Sequence, residues 1–235
     1  MKRSSSLLLA MLPLLLGACA TQPTEESSPL TGEQPIPVAQ TPANVDDTSG
    51  FLASLPPDPY YLQTTPALSE PYKKRYQAAL ALLKEEKTTE AEAALLALLE
   101  DTEKASAPCM QLALLYKRQD NIEMARQYAQ KAIAINPYNY DAYNLLGVIE
   151  REAGHFSEAE QHYQQILALW PGYAPAHRNL GILYDLYQGQ YANAADHYQK
   201  YLLLVGEDKT VAIWLADLQR RIKEQEAADE APATP

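Results

Sequence analysis

The feature of this sequence that most constrains its fold is a series of small residues that recur at one fixed spacing. One series, with a spacing of 34 residues, is Ala79, Ala113, Gly147 and Gly181. A second series keeps this spacing except for a last step of 35 residues: Ala91, Ala125, Ala159 and Ala194. Such a period indicates stacked copies of one supersecondary unit, because a single unit could not bury its own apolar face.

The copy at residues 140–173 shows best what the unit is. It places residues at the marker positions of a helix-turn-helix repeat of 34 residues: Tyr143, Leu146, Gly147, Gly154, Ala159, Tyr163 and Pro171. This pattern resembles the tetratricopeptide repeat (TPR). Glu150 stands where an aromatic residue is usual, and Ile166 stands where a small residue is usual.

The resemblance implies an all-α fold, a TPR helical solenoid over residues 71–226. About four units are expected, near residues 72–105, 106–139, 140–173 and 174–208. The first unit lacks the terminal proline, which Pro137 and Pro171 supply later, and is predicted to be a degenerate repeat. The last unit has one extra residue, predicted near residues 187–190.

A further helix at residues 209–226 is expected to cap the stack. Val211, Trp214, Leu215 and Leu218 share one face of this helix at helical spacing. Residues 227–235 are acidic and contain proline, so they are predicted to be a disordered tail. Cys109 falls at an inward position of its unit and is predicted to be a buried, small apolar residue.

The N-terminus has the layout of an export signal, predicted at residues 1–18. Lys2 and Arg3 precede a short apolar run, and Leu16, Gly17 and Ala18 precede Cys19. This junction resembles the lipobox of bacterial lipoproteins, which implies that Cys19 carries the lipid. The alternative is an ordinary secretory signal in which Cys19 is incidental. By resemblance to Gram-negative lipoproteins, the absence of Asp after Cys19 favours the outer membrane, with the protein facing the periplasm.

Residues 19–70 are rich in Pro, Ser, Thr and Glu and show no helical or strand period. They are predicted to be a disordered tether between the lipid and the solenoid. The segment 51–62 differs, because it is apolar and aromatic. It is either an extended arm that packs on the first helices of the solenoid or a linear motif for a partner protein.

The charge and the motifs exclude several functions. The net charge is −11, and removing residues 1–18 would make it −13, which argues against nucleic acid or anionic lipid surfaces as partners. Two cysteines, one of them predicted to be lipidated, leave no disulfide framework. No metal-ligand spacing, phosphate loop or nucleophile motif is found. The sequence therefore predicts no enzyme, no cofactor, no metal and no small-molecule substrate.

Motif position predicts which side chains line the concave face of the stack. The candidate groove consists of side chains on the first helix of each unit: Tyr76, Met110, Lys117, Asn144, Arg151, Arg178 and Asp185. Asn144 and Arg178 are equivalent in adjacent units, and with Arg151 they could hold an extended peptide by its amides and carboxylates. The alternative is that these are ordinary solvated polar residues.

The predicted function is a non-catalytic adaptor that binds envelope proteins and is held at the membrane by its lipid. The layout is similar to that of TPR lipoproteins that act as pilotins for secretin channels, and of those found alongside TonB-type energy-transduction systems. The alternatives are an adaptor or subunit of a cell-wall enzyme and a purely structural spacer.

Overall fold

The computed structural model describes residues 48–58, 68–101 and 105–229. All regular elements within these residues are helices. Their bounds are α1 Thr48–Ser54, α2 Glu70–Lys84, α3 Thr88–Asp101, α4 Ser106–Arg118, α5 Ile122–Ile135, α6 Tyr140–Glu152, α7 Phe156–Leu169, α8 Ala174–Leu183, α9 Tyr191–Val205 and α10 Lys209–Asp229. The predicted signal peptide and Cys19 lie outside the described residues.

The helices from α2 onward form four pairs and a final helix. The two helices of each pair pack most closely on each other, and the second helix of each pair then packs on the first helix of the next pair. Helix α10 packs on α9, and buries Val211 and Leu218 there. The prediction of an all-α solenoid with about four helix-turn-helix repeats and a capping helix is confirmed.

The turn inside each of the first three pairs has the same construction. Glu86, Asp120 and Gly154 have φ angles of 60°, 60° and 82° and reverse the chain. The next amide then donates to the carbonyl oxygen five residues earlier, as in the bond of 2.8 Å from His155 to Glu150. Such a turn ends one helix and starts its partner within a few residues.

The fourth pair accommodates its extra residue in the first helix. The helix changes to a π-helical turn over Tyr184–Gln188, and Gly189 takes the left-handed position with a φ of 65°. Here the amide of Gln190 donates to the carbonyl oxygen of Tyr184, six residues earlier. A π-turn is the usual form of a one-residue insertion within a helix, and this one overlaps the predicted insertion at 187–190.

The contact between paired helices is tightest at the eighth position of each repeat. In repeats 3 and 4 this position is Gly147 and Gly181, and the ring of Tyr163 or Tyr198 lies directly over it. In repeats 1 and 2 the eighth position is Ala79 and Ala113, and all four residues are buried. Cys109 is also fully buried, as predicted, and burial raises the pKa of its thiol.

Two segments differ from the sequence-based expectation. Residues 48–54 are helical, although they fall in the predicted tether, and they contact α9 of the last repeat. The expected position of the 51–62 segment on the first helices is therefore wrong for residues 51–58, and residues 59–62 lie outside the described residues.

Helix α10 continues to Asp229, three residues into the predicted tail, because nothing in residues 227–229 breaks a helix. Among the described residues, no helix has the length and apolar character needed to cross a bilayer.

Candidate protein-binding surface

The first helices of the repeats lie along one face of the stack. Helix α4 contacts α6, and α6 contacts α8, whereas second helices of neighbouring repeats approach less closely. A solenoid curves when the helices on one side lie closer together than those on the other side. The first helices therefore form its concave face. We call this the inner face.

A strip of aliphatic side chains runs along the inner face at the ninth position of every repeat. Its members, which we call the aliphatic strip, are Leu80, Leu114, Val148 and Ile182. Leu114 is the most exposed at 38%, Leu80 and Val148 are half-buried, and Ile182 is 9% exposed. Leu80, Leu114 and Val148 therefore present apolar contacts one repeat apart, whereas Ile182 belongs to the core.

Polar and aromatic side chains beside the strip bridge one repeat to the next. Lys117 Nζ lies 2.9 Å from Glu152 Oε2, and Asn179 Nδ2 donates to Asn144 Oδ1 at 2.7 Å. We call the full set the inner ladder, and its members are Lys117–Glu152, Asn144–Asn179, Arg151–Tyr187, Arg178–Trp214 and Asp185–Arg221.

The two arginines of the predicted groove are used as rungs of this ladder. The guanidinium of Arg151 lies 5.8 Å from the centre of the Tyr187 ring, and that of Arg178 lies 5.5 Å from the centre of the Trp214 ring. Arg221 Nη2 lies 2.6 Å from Asp185 Oδ1 in the last rung. The Asp185 side chain is 6% exposed, so this ion pair is largely shielded from water.

The structure therefore changes the role of the predicted groove residues. Lys117, Asn144, Arg151, Arg178 and Asp185 do lie together on the inner face, but each contacts a residue of the next repeat or of the capping helix. The prediction is wrong for Met110, which is 6% exposed in the core, and Tyr76 is half-buried against the same core cluster. Both side chains pack in the core that the first repeat, which contains Tyr76, shares with its neighbours.

A second series of polar contacts, which the sequence analysis missed, joins each second helix to the first helix of the next repeat. The Tyr116 hydroxyl donates to Glu92 Oε1 at 2.6 Å, and the Tyr184 hydroxyl donates to Glu160 Oε1 at 2.8 Å. Burial, followed by the hydrogen bond to the carboxylate, raises the pKa of each tyrosine, so both remain donors.

The middle member of this series has its chemistry reversed. Glu150 occupies the position of the two tyrosines, and Arg126 occupies the position of the two glutamates. Their side chains form an ion pair, and His155 Nδ1 lies 2.9 Å from Glu150 Oε2. This explains the departure of Glu150 from the aromatic pattern. The 34-residue spacing of Glu92, Arg126 and Glu160 was the signal that could have revealed the series.

The C-terminal end of the inner face has the most exposed apolar side chains. Leu186 and Tyr187, on the π-turn, are 67% and 44% exposed, and Ile213 on the capping helix is 68% exposed. Tyr187 also packs against Phe156, with the ring centres 4.8 Å apart. Within the described residues, no three His, Cys, Asp or Glu side chains are grouped so that they could hold a metal ion.

Comparison with known proteins identifies the repeat. The family model described as Tetratricopeptide repeat matches residues 110–174. Similar solved structures include pilF of Pseudomonas aeruginosa, with 24% identity over 65% of this chain and 69% of that chain and a TM-score of 0.59. MamA from Desulfovibrio magneticus RS-1 is similar at 19% identity over 70% of this chain and 92% of that chain, with a TM-score of 0.56. A tetratricopeptide repeat protein from Parabacteroides merdae has 20% identity over 69% of this chain and 63% of that chain, with a TM-score of 0.54.

Proposed function

Since the folded part of this chain is a tetratricopeptide-repeat solenoid, we propose that the protein is a non-catalytic adaptor that binds partner proteins on its inner face. The observation that supports this most directly is the aliphatic strip, which presents Leu114 to solvent between rungs of the inner ladder. TPR proteins in general mediate protein–protein interactions, and a solenoid of this kind uses its concave surface for binding.

The arrangement of the inner face favours an extended peptide segment as the ligand. The strip offers apolar contacts at a fixed interval. Because the contacts of the inner ladder already order its side chains, binding a peptide costs little further side-chain entropy. Both charge signs occur beside the strip, as in the pair Lys117–Glu152. A net charge of −11 disfavours a phosphate backbone as the ligand.

Replacing Leu114 with glutamate tests this surface. We expect recovery of bound partners to fall at least about tenfold, because a charge replaces an apolar contact in the centre of the strip. The free energy of unfolding should fall by no more than about 2 kcal/mol, since the side chain is only partly buried. The measurement is affinity capture from solubilised envelope with quantitative mass spectrometry of the recovered proteins.

The matched control is Val205→Glu, since Val205 is 43% exposed at the end of a second helix, away from the inner face. It should leave recovery unchanged. Equal recovery with wild type and Leu114→Glu would contradict use of the inner face. The recovered proteins also distinguish the two envelope systems proposed for this protein, a pilus or secretin assembly and a TonB-type energy-transduction complex.

We further propose that the protein is anchored to the outer membrane by lipid on Cys19 and faces the periplasm. The support is the small-residue junction at residues 16–19 after an apolar run. In cells grown with labelled palmitate, Cys19→Ser should abolish incorporation into this protein. Cys109→Ser is the matched control, because Cys109 is the only other cysteine in the sequence. Incorporation of labelled palmitate into the Cys19→Ser protein would contradict lipidation at Cys19.

A further inference from the structure

Helix α1 contacts the last repeat through the aromatic side chain of Phe51. The ring of Phe51 meets the ring of His177 edge-on, with the centres 5.7 Å apart and an angle of 88°. Lys200 Nζ lies 5.7 Å from the centre of the Phe51 ring. At the end of the segment, the Tyr140 hydroxyl donates to Asp58 Oδ1 at 3.5 Å, the outer limit of a hydrogen bond. We call residues 48–58 the clasp.

The clasp depends on this attachment for its own structure. A helix of seven residues is too short to be stable alone in water, so α1 persists only while it is docked. Its second large apolar side chain, Leu52, is 43% exposed and adds little burial. Segments with so few buried contacts open locally more readily than the core does. A change in the surface under Phe51 should therefore favour opening of the clasp.

That surface contains the buried His177 and the half-buried His197, whose rings form a fixed hydrogen-bonding pattern. His177 Nε2 lies 2.9 Å from the carbonyl oxygen of Pro171, an acceptor, so this nitrogen carries the proton in the neutral ring. His177 Nδ1 is then an acceptor. His197 Nδ1, at 2.9 Å, must donate to it. Each neutral histidine has one defined tautomer, and the contact between them needs the lone pair on His177 Nδ1.

A further proton on His177 Nδ1 would place two N–H groups against each other. The neighbouring side chains would do little to stabilise the added positive charge. Lys200 adds a like charge from α9, and Asp196 on the same helix is already paired with Lys200 at 2.7 Å. The Tyr184 ring packs on His197 with the centres 5.5 Å apart. Burial lowers the pKa of His177 to about 4 and that of His197 well below its usual value.

We propose that residues 48–58 form an acid-released clasp, which opens when protonation of the His177–His197 pair disrupts the surface under Phe51. Opening uncovers the outer side of α9 and detaches α1 from the last repeat. This device is independent of the partner surface on the inner face, since Phe51 docks on His177 and Lys200 rather than on the aliphatic strip.

The pH range follows from the direction of the pKa shifts. A solvated imidazole takes up a proton near pH 6.5, whereas the docked pair resists protonation until about pH 4. The open state therefore binds more protons between these values. The stabilisation of the closed clasp is complete above about pH 6.5 and decreases as the pH falls towards 4. At pH 5 we therefore expect a lower closed-to-open ratio than at pH 7.

The composition of the chain allows a direct measurement. The sequence contains two phenylalanines, Phe51 and Phe156, so full-length protein labelled with fluorophenylalanine gives one ¹⁹F NMR signal for the clasp and one for the solenoid. Between pH 7 and 4.5 the Phe51 signal should move towards that of an unstructured peptide. The Phe156 signal, from a ring packed on Tyr187, should report an intact solenoid throughout.

Variants separate the histidine pair from other acid effects. His177→Tyr with His197→Gln keeps an aromatic ring under Phe51 but removes both titrating groups, so its clasp should stay closed at pH 4.5. Asp58→Asn and His155→Gln remove other ionisable groups and should leave the wild-type transition in place. A Phe51 signal that stays constant to pH 4.5 while Phe156 remains folded would overturn the proposal, and so would an unchanged transition in the double variant.

Discussion

Arg126→Glu lowers the free energy of unfolding by about 3–5 kcal/mol, because it turns a buried ion pair into two opposed carboxylates. The Glu150 side chain is 8% exposed and the Arg126 side chain is 28% exposed, so water screens the repulsion poorly. His155 Nδ1, at 2.9 Å from Glu150, offers only partial compensation. The measurement is urea unfolding followed by circular dichroism, with the midpoint compared at a constant m value.

The other two repeat interfaces indicate how to rescue this variant. Tyr116 donates to Glu92 and Tyr184 donates to Glu160, at the positions equivalent to Glu150 and Arg126. Adding Glu150→Tyr to Arg126→Glu would give the middle interface the same pair. We expect the double variant to recover at least about 2 kcal/mol relative to Arg126→Glu, since a neutral donor replaces the opposing charge.

The control for net charge is Arg118→Glu, which makes the same substitution at an exposed position. It should change the free energy of unfolding by no more than about 0.5 kcal/mol. If Arg126→Glu costs no more than this control, or if Glu150→Tyr fails to improve it, the ion pair is not what stabilises the middle interface.

Gly147→Ala should lower the free energy of unfolding by about 1–3 kcal/mol through overpacking. An added methyl group would lie within 2.8 Å of three atoms of the Tyr163 ring, which is fully buried. In an open helix the same change would be stabilising by up to about 1 kcal/mol, because alanine has the higher helix propensity. The sign of the effect therefore tests the close approach of α6 and α7.

Repeat 1 supplies the compensating change for this variant. There Ala79 stands at the position of Gly147, and Leu95 stands at the position of Tyr163. In a Tyr163→Leu background, Gly147→Ala should cost less than about half of what it costs in wild type, because the ring that it would meet is gone. Thermal or urea unfolding of the four proteins of this cycle gives the coupling free energy. A cost that is the same in both backgrounds would show that Tyr163 is not the obstacle.

The sequence alone determined the architecture of the folded part. The period of Ala79, Ala113, Gly147 and Gly181 specified paired helices of fixed length, and the longer step to Ala194 showed that one extra residue lies in the last repeat. Local patterns suffice for this because helix faces, turns and close helix contacts are encoded within one unit of 34 residues. The sequence located this insertion only to within a few positions.

Only the tertiary structure decided what the polar side chains do. Arg151, Arg178 and Asp185 lie on one face, and their partners Tyr187, Trp214 and Arg221 each belong to the following helix unit, which stacking alone brings into reach. The contact between the clasp and the last repeat was even less predictable from the sequence, because Phe51 and His177 are far apart in the chain and no periodicity relates them. A repeat pattern fixes the position of a residue within its unit, whereas its contacts with other units depend on how the units are packed.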